Sequence, residues 1–293
     1  MDKEIYNVKV VKFGGSSLAD AEQFKKVGSI IKSDPSRRFV VPSAPGKRFS
    51  GDTKVTDMLY SCYNAAQNGG DFDSVFAIVK DRFDSIIAGL GLSLDLSAEY
   101  EHIKWAILHH AGRDYAASRG EYLNGMILAE YLGYDFIDPA DYIKFCDDGS
   151  FDAETTNGIL SEEMKKHENG VIPGFYGSHP NGTIRTFSRG GSDITGSIVA
   201  RAVYADLYEN WTDVNGFLMA DPRIVPGAKT IKYITYRELR ELSYMGATVL
   251  HEDAIFPVRF AGIPVNIRNT NDVNDPGTMI VSHTDSYDSD DII

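Results

Sequence analysis

Residues 8–19, V-K-V-V-K-F-G-G-S-S-L-A, constrain the fold more than any other stretch of the chain. Val8, Val10, Val11 and Phe13 form the short β-branched and aromatic run that a buried strand requires. The run stops at Gly14-Gly15, where two missing Cβ atoms open the main chain to a ligand. Ser16-Ser17 then offer hydroxyls and caps to a helix whose N–H groups point back at the turn. Residues 20–32 continue it, with Phe24, Val27, Ile30 and Ile31 at helical spacing, until Asp34-Pro35. Strand, glycine turn and helix make a βα unit with an anion site at the strand's C-terminal tip. Lys12, one residue before the strand ends, is placed to reach the same anion; a snorkelling structural lysine is the alternative. The turn has neither the P-loop nor the dinucleotide spacing.

The same grammar recurs downstream. Phe39-Val40-Val41 reads as a second strand ending at Pro42-Ser43, which makes Ser43 a candidate, because α/β folds bind ligands at strand C-terminal ends. Gly46-Lys47-Arg48 and Gly51-Asp52-Thr53-Lys54 read as a mobile loop. Helices are expected over 54–67, with Thr56 and Asp57 near the start, and over 72–88 and 98–111. Ser118-Arg119-Gly120-Glu121 is expected to precede a helix stopped by Gly133, with Glu121 in the first turn as a capping carboxylate or a substrate contact. A polar turn at 147–150 bounds a first lobe, residues 1–150. In the second lobe, residues 151–284, a hairpin turn at 180–183 leads to Ser188-Arg189-Gly190-Gly191-Ser192-Asp193, a second glycine pair before a helix. Arg189 suits a two-pronged carboxylate contact, and Asp193 either caps that helix or holds Lys12 or a metal. A strand over 205–208 ends in Glu209-Asn210-Trp211-Thr212-Asp213, polar residues suited to adenine and ribose, and Arg223 adds a loop arginine. Helices over 236–245 and 249–261 and strands over 264–267 and 278–281 close the sheet, and 285–293 is an acidic tail.

Composition narrows the partners. With 29 basic against 42 acidic residues, net charge −13, neither nucleic acid nor an anionic membrane suits as the main partner. A phosphorylated ligand then needs a local basic pocket. Two cysteines, Cys62 and Cys146, fit a reducing compartment and exclude a thiolate metal cluster. No apolar run approaches membrane-spanning length, so a cytoplasmic protein is expected.

Two glycine-pair anion turns, one with a strand lysine and one with an arginine, suit phosphoryl transfer, which needs an acceptor held in line and the transferring charge neutralised. Lys-Phe-Gly-Gly-Ser-Ser at 12–17, Ser-Arg-Gly-Glu at 118–121, Phe-Ser-Arg-Gly-Gly-Ser-Asp at 187–193, Trp-Thr-Asp-Val-Asn-Gly with Asp-Pro-Arg at 211–223, Gly-Ala-Thr-Val-Leu-His at 246–251 and Asn-Thr…Pro-Gly-Thr at 269–278 resemble the aspartokinases of the amino-acid kinase family, in order and over nearly the whole chain. The resemblance implies a three-layer αβα sandwich around a mostly parallel sheet, with an N-terminal lobe for the amino acid and a C-terminal lobe for ATP. It implies phosphorylation of the L-aspartate β-carboxylate by Mg2+-ATP, the first step towards lysine, threonine and methionine. It assigns the transferring phosphoryl to Lys12, with Asp193 orienting that lysine, and the phosphates to Gly14, Gly15 and Ser16. Aspartate falls to Ser43, Thr56, Glu121, Arg189, Gly190, Gly191 and Ser192, and the rest of ATP to Thr212, Asp213, Leu218 and Arg223. No metal is assigned to a protein ligand set, and a homodimer is left open.

The chain departs from the family's pattern at Thr248, where many members have lysine, and at Leu218, where an aromatic is common. Paired regulatory ACT domains usually follow the kinase, so feedback by lysine or threonine is expected to be missing from these residues. The rival readings are a related kinase for another carboxylate or a nucleotide, a catalytically idle nucleotide- or aspartate-binding lobe, and more distantly a dinucleotide oxidoreductase.

Overall fold

A computed structural model describes residues 8–188, 190–220, 224–225, 227–244, 250 and 252–283. Its strands are β1 (Lys9–Phe13), β2 (Arg37–Pro42), β3 (Asp135–Phe136), β4 (Gly170–Val171), β5 (Tyr176–Ser178), β6 (Ile184–Thr186), β7 (Leu207–Thr212), β8 (Tyr233–Thr235), β9 (Val265–Asn269) and β10 (Thr278–Val281). All but β5 and β6, which form the expected hairpin, join one sheet in the order β3-β4-β2-β1-β7-β9-β10-β8. Every pairing in that sheet is parallel except β9 with β10.

Alternation along β1 divides the core. Val11 and Phe13 face one side and pack with Phe24, Leu59, Phe83 and Leu123, whereas Val10 faces the other with Phe39, Val41, Ile198 and Tyr208. The first side is covered by α1 (Ala21–Lys32), α2 (Val55–Asn68), α3 (Phe72–Leu90), α4 (Ser97–Leu108) and α5 (Arg113–Leu132). The second is covered by α6 (Pro139–Tyr142), α7 (Ala153–Met164), α8 (Gly191–Ala202), α9 (Tyr236–Tyr244) and α10 (Phe256–Ala261). The result is a helix–sheet–helix sandwich. No helix among the described residues is long and apolar enough to cross a membrane.

Several local expectations are corrected. Ser16 and Ser17 cap nothing; residues Gly15–Leu18 form a short 3₁₀ helix, and α1 is capped by Asp20, whose carboxylate accepts from the Gln23 N–H at 3.0 Å. Helix α5 starts after Gly112, at φ +94°, well before Ser118, so Glu121 sits in the helix interior instead of its first turn. The stretch gave no sign of this because α5 is buried nearly all round, and a helix without a solvent face has no apolar stripe. Strand β7 runs on to Thr212, so Glu209 and Asn210 lie buried within it and not at its edge. The edge strand β8 was missed; three residues are too few for a period to register. Pro257 sits in the first turn of the six-residue α10, preceded by a 3₁₀ turn at Glu252–Ile255, where one longer helix was expected.

The loop expected to be mobile is tied down. Asp52 is buried and pairs with Arg48 Nε at 2.8 Å and Arg82 Nη2 at 2.7 Å, while Arg82 also donates to the Gly46 carbonyl at 3.0 Å. Gly46 N–H donates to the Gly15 carbonyl at 2.8 Å, and a Cβ on Gly46 would lie 2.6 Å from the Gly15 carbonyl carbon. The loop is thus a wall set against the first glycine turn. The two guanidinium partners hold the Asp52 carboxyl far below the ordinary carboxylate range. A carboxylate depressed in the fold contributes stability that is fully present above its unfolded pKa and is lost as pH falls from there through its lower folded value. Asp52→Asn is therefore expected to destabilise the chain by about 3 kcal/mol at pH 7, read by urea unfolding, and to flatten the loss of stability seen in the parent below about pH 4.

Candidate active site

The C-terminal ends of β1, β2 and β7 lie side by side, because the chain leaves β1 for β2 on one flank and returns beside it as β7 on the other. Such a reversal leaves a crevice above the strand tips. The crevice here is a cleft of about 610 Å³. It gathers eight residues singled out from the sequence: Gly14, Gly15 and Ser16 after β1, Ser43 after β2, Thr56 on α2, Glu121 on α5, and Thr212 and Asp213 at the end of β7. The pinned loop adds Lys47, Phe49, Ser50 and Lys54, which sequence reasoning left out because nothing local says a loop will fold back over a cleft.

The two glycines of the first turn do different work. A Cβ on Gly15 would lie 2.7 Å from the Ala44 carbonyl, so Gly15 is required for the loop to approach. At Gly14 a Cβ would meet only Lys12 Nζ and the Trp211 carbonyl, both at 3.7 Å; glycine there keeps the way to the ammonium open. The Gly14 N–H is not free for a phosphate, since it donates to the Trp211 carbonyl at 3.0 Å. Gly15 and Ser16 open the 3₁₀ helix, positions whose N–H groups find no acceptor inside a helix.

Lys12 shares the Val10 face and so points towards α8. Its Nζ lies 2.7 Å from Asp193 Oδ1, in the first turn of that helix, with both side chains largely buried. Asn210, opposite Lys12 in the register, donates to Asp193 Oδ1 at 2.8 Å and accepts from Lys12 Nζ at 3.4 Å. Asn210 is a site residue that sequence reasoning misplaced; the available signal was an amide inside a strand otherwise bound for the core. Gly190, at φ +56°, and Gly191, whose Cβ would collide with Phe175, let α8 begin here, and Ser192 is buried just before Asp193. None of these three lines the cleft itself, and Leu218 lies off it, bridged to Thr230. Arg189, Arg223, most of the 246–251 motif and the 285–293 tail fall outside the described residues.

Glu121 is 5% exposed, and its Oε2 has no hydrogen-bond partner. It reaches the cleft because Gly120 lets α5 press on the 43–45 segment, where a Cβ would lie 2.8 Å from Ala44 Cβ. Asn124, one turn on, fixes the same segment by donating to the Ser43 carbonyl at 2.7 Å. Burial pushes the Glu121 carboxyl up to about 8, against a smaller downward pull from the Ala44 N–H. A buried carboxyl oxygen left bare on a cleft wall is open to a donor from a ligand. A carboxyl whose folded pKa is raised favours the fold at low pH, and that contribution fades as pH rises from its unfolded value, near 4.5, through 8. Glu121→Gln is accordingly expected to be more stable than the parent at pH 9 by a few kcal/mol, with the difference closing at pH 5, read by urea unfolding at both pH values.

Placed beside known proteins, residues 7–269 match the amino acid kinase family. Aspartokinase 3 of Bacillus subtilis is 40% identical over 95% of this chain and 64% of its own length. A crystal structure of Clostridium acetobutylicum aspartate kinase superposes with a TM-score of 0.91 at 55% identity, over 96% of this chain and 64% of that one. E. coli aspartokinase III, solved in complex with aspartate and ADP, superposes with a TM-score of 0.82 at 26% identity, over 96% of this chain and 66% of that one. The chain thus spans just under two thirds of the length of these relatives. With its αβα sandwich and the match running through both glycine turns, this chain belongs to the amino acid kinase family.

Proposed function

We propose that the chain is the catalytic part of an aspartate kinase, transferring the γ-phosphoryl of ATP to the β-carboxylate of L-aspartate to give 4-phospho-L-aspartate in the cytoplasm. The observation that carries this reading is one cleft holding both a glycine turn beside a buried lysine and a buried carboxyl group with one unpartnered oxygen. The first suits a transferring phosphate and the second an amino acid's ammonium group. The relatives above supply the substrate: they are named aspartate kinases, and one was solved with aspartate and ADP.

In this reading the ammonium of aspartate neutralises Glu121, and Ser43 and Thr56 hold the acid on that wall. Arg189 and the Gly190–Ser192 main chain take a carboxylate. Gly15, Ser16 and the end of β7, Thr212 and Asp213, take the phosphates and the nucleoside, with Leu218 and Arg223 assigned to the nucleotide from their place further on in the sequence. Lys12 stabilises charge on the phosphoryl oxygens as the β-carboxylate attacks, and Asp193 with Asn210 keeps its ammonium aimed. Lys47 and Lys54 supply the local basic lining that a chain of net charge −13 needs for a polyphosphate. The donor set fits a metal that arrives on the nucleotide: among the described residues no three acidic, histidine or cysteine side chains cluster, and magnesium is ordinarily held by phosphates with one or two carboxylates. Bound there, magnesium would neutralise charge on the phosphates. The acid-binding groups are shared between residues 1–150, which supply Ser43, Thr56 and Glu121, and residues 151–284, which supply Arg189 to Ser192, whereas the nucleoside-binding groups come from 151–284.

Incubated with Mg-ATP, hydroxylamine and a panel of aspartate, glutamate and acetylglutamate, the chain is expected to yield hydroxamate from aspartate alone. Lys12→Ala should lower turnover on the order of 10²-fold or more. Product from another acid in place of aspartate would overturn the substrate, and an undiminished Lys12→Ala would overturn the role of the lysine.

A further inference from the structure

The two halves of the proposed nucleotide subsite stand on segments almost two hundred residues apart, Gly15-Ser16 after β1 and Thr212-Asp213 at the end of β7. Within the sheet their spacing is fixed by the β1–β7 ladder, but the ladder ends at the bond from Gly14 N–H to the Trp211 carbonyl. Beyond it, the cleft-lining residues need another tie. Thr270, directly after β9, supplies one to each side. Its hydroxyl bonds the Ser17 hydroxyl at 2.7 Å, and its N–H donates to the Thr212 carbonyl at 2.9 Å. Both Thr270 and Ser17 are buried, so the hydroxyl pair is shielded from competing water. Ser17 is in turn bonded through its N–H to the Gly14 carbonyl at 3.0 Å, so the pull reaches the glycine turn itself.

The turn that carries Thr270 is itself held. Asn269 bonds Asn215 in the loop after β7, and Asn215 donates to Asp275 at 2.8 Å on the far side of the same turn. The Asn271 N–H closes on Asn269 Oδ1 at 2.8 Å, and Lys26 of α1 reaches Asn271 Oδ1 at 3.1 Å. The turn therefore clasps the loop after β7 with one edge and α1 with the other.

We infer that Thr270 is a positioning residue that sets the separation between the phosphate-binding turn and the nucleoside-binding loop. The inference rests on the assignment of ATP to this cleft. Thr270 touches neither substrate; it acts through Ser17 and Thr212. Valine keeps its shape and its N–H while removing the hydroxyl, and serine restores the hydroxyl.

The test measures ATP affinity by calorimetry and both KM values and kcat by hydroxamate formation, in the parent, Thr270→Val, Thr270→Ser, Ser17→Ala and the Ser17→Ala/Thr270→Val double variant. Thr270→Val is expected to weaken ATP binding and raise its KM about tenfold while leaving the KM for aspartate within about twofold. Thr270→Ser should return close to parent values, and the double variant should be no worse than the poorer single, because both singles break one bond. Parent-like ATP affinity in Thr270→Val, an equal loss for both substrates, or additive losses in the double variant would overturn the inference. A parent chain that binds ATP without making acyl phosphate fails the aspartate reading alone, and the binding constants still decide the case of Thr270. A parent that binds no ATP overturns both.

Discussion

An ammonium group in the central strand of a sheet is tolerable only if a counter-charge meets it there. Lys12 imposes that condition, and the pair it makes with Asp193 joins the first glycine turn to the second. Asp193 can arrive only if α8 starts at the right height on the second face of the sheet, which the left-handed Gly190 and the close approach of Gly191 to Phe175 allow. Asn210 completes the triad only if β7 pairs with β1 in the observed register, opposite Lys12. Helix start, strand register and cleft position thus follow from one buried charge.

A second buried pair stabilises the other end of the same three strands without touching the chemistry. Arg37 of β2 donates to Glu209 of β7 at 2.8 Å across the foot of β1, and Trp211 Nε1 donates to the same carboxylate at 2.8 Å. Trp211 in turn stacks on Phe13 and lies under Arg37 and Arg268. The polar residues of β7 therefore divide by facing. Glu209 and Trp211 tie the sheet together on the first face, Asn210 serves Lys12 on the second, and Thr212 alone reaches the tip; the strand's period of two assigns these tasks.

The elements that were legible were those with a period or a punctuation mark. Strands β1 and β2, helices α1 to α3, the β5–β6 hairpin and the two glycine turns are all announced by alternation, helical spacing or Gly, Pro and Asp stops. Helix α5 was half-read because it is buried on all sides, and β7 was cut short because its inward polar side chains look like the residues of a strand end. Of the site, the residues that line the cleft were found by their place at strand tips and by family resemblance. Lys47 and Lys54 were not, and Asn210 and Thr270 were read only as members of longer motifs without their tasks, since each acts on a partner far away in sequence.

Chemistry that depends on type and order is written along the chain: a strand that ends in two glycines, a lysine in that strand, a second glycine pair followed by an aspartate, and motifs arranged in family order. Whether a carboxylate is ionised, which glycine serves a ligand and which serves packing, and whether a basic loop moves or stands fixed are matters of environment. The same Glu121 would be an ordinary capping acid in the exposed first turn of a helix. Buried in α5 against the Ala44 segment, with one oxygen unpaired, its carboxyl is instead pushed up to about 8, because desolvation acts only once the distant parts of the chain have closed around it.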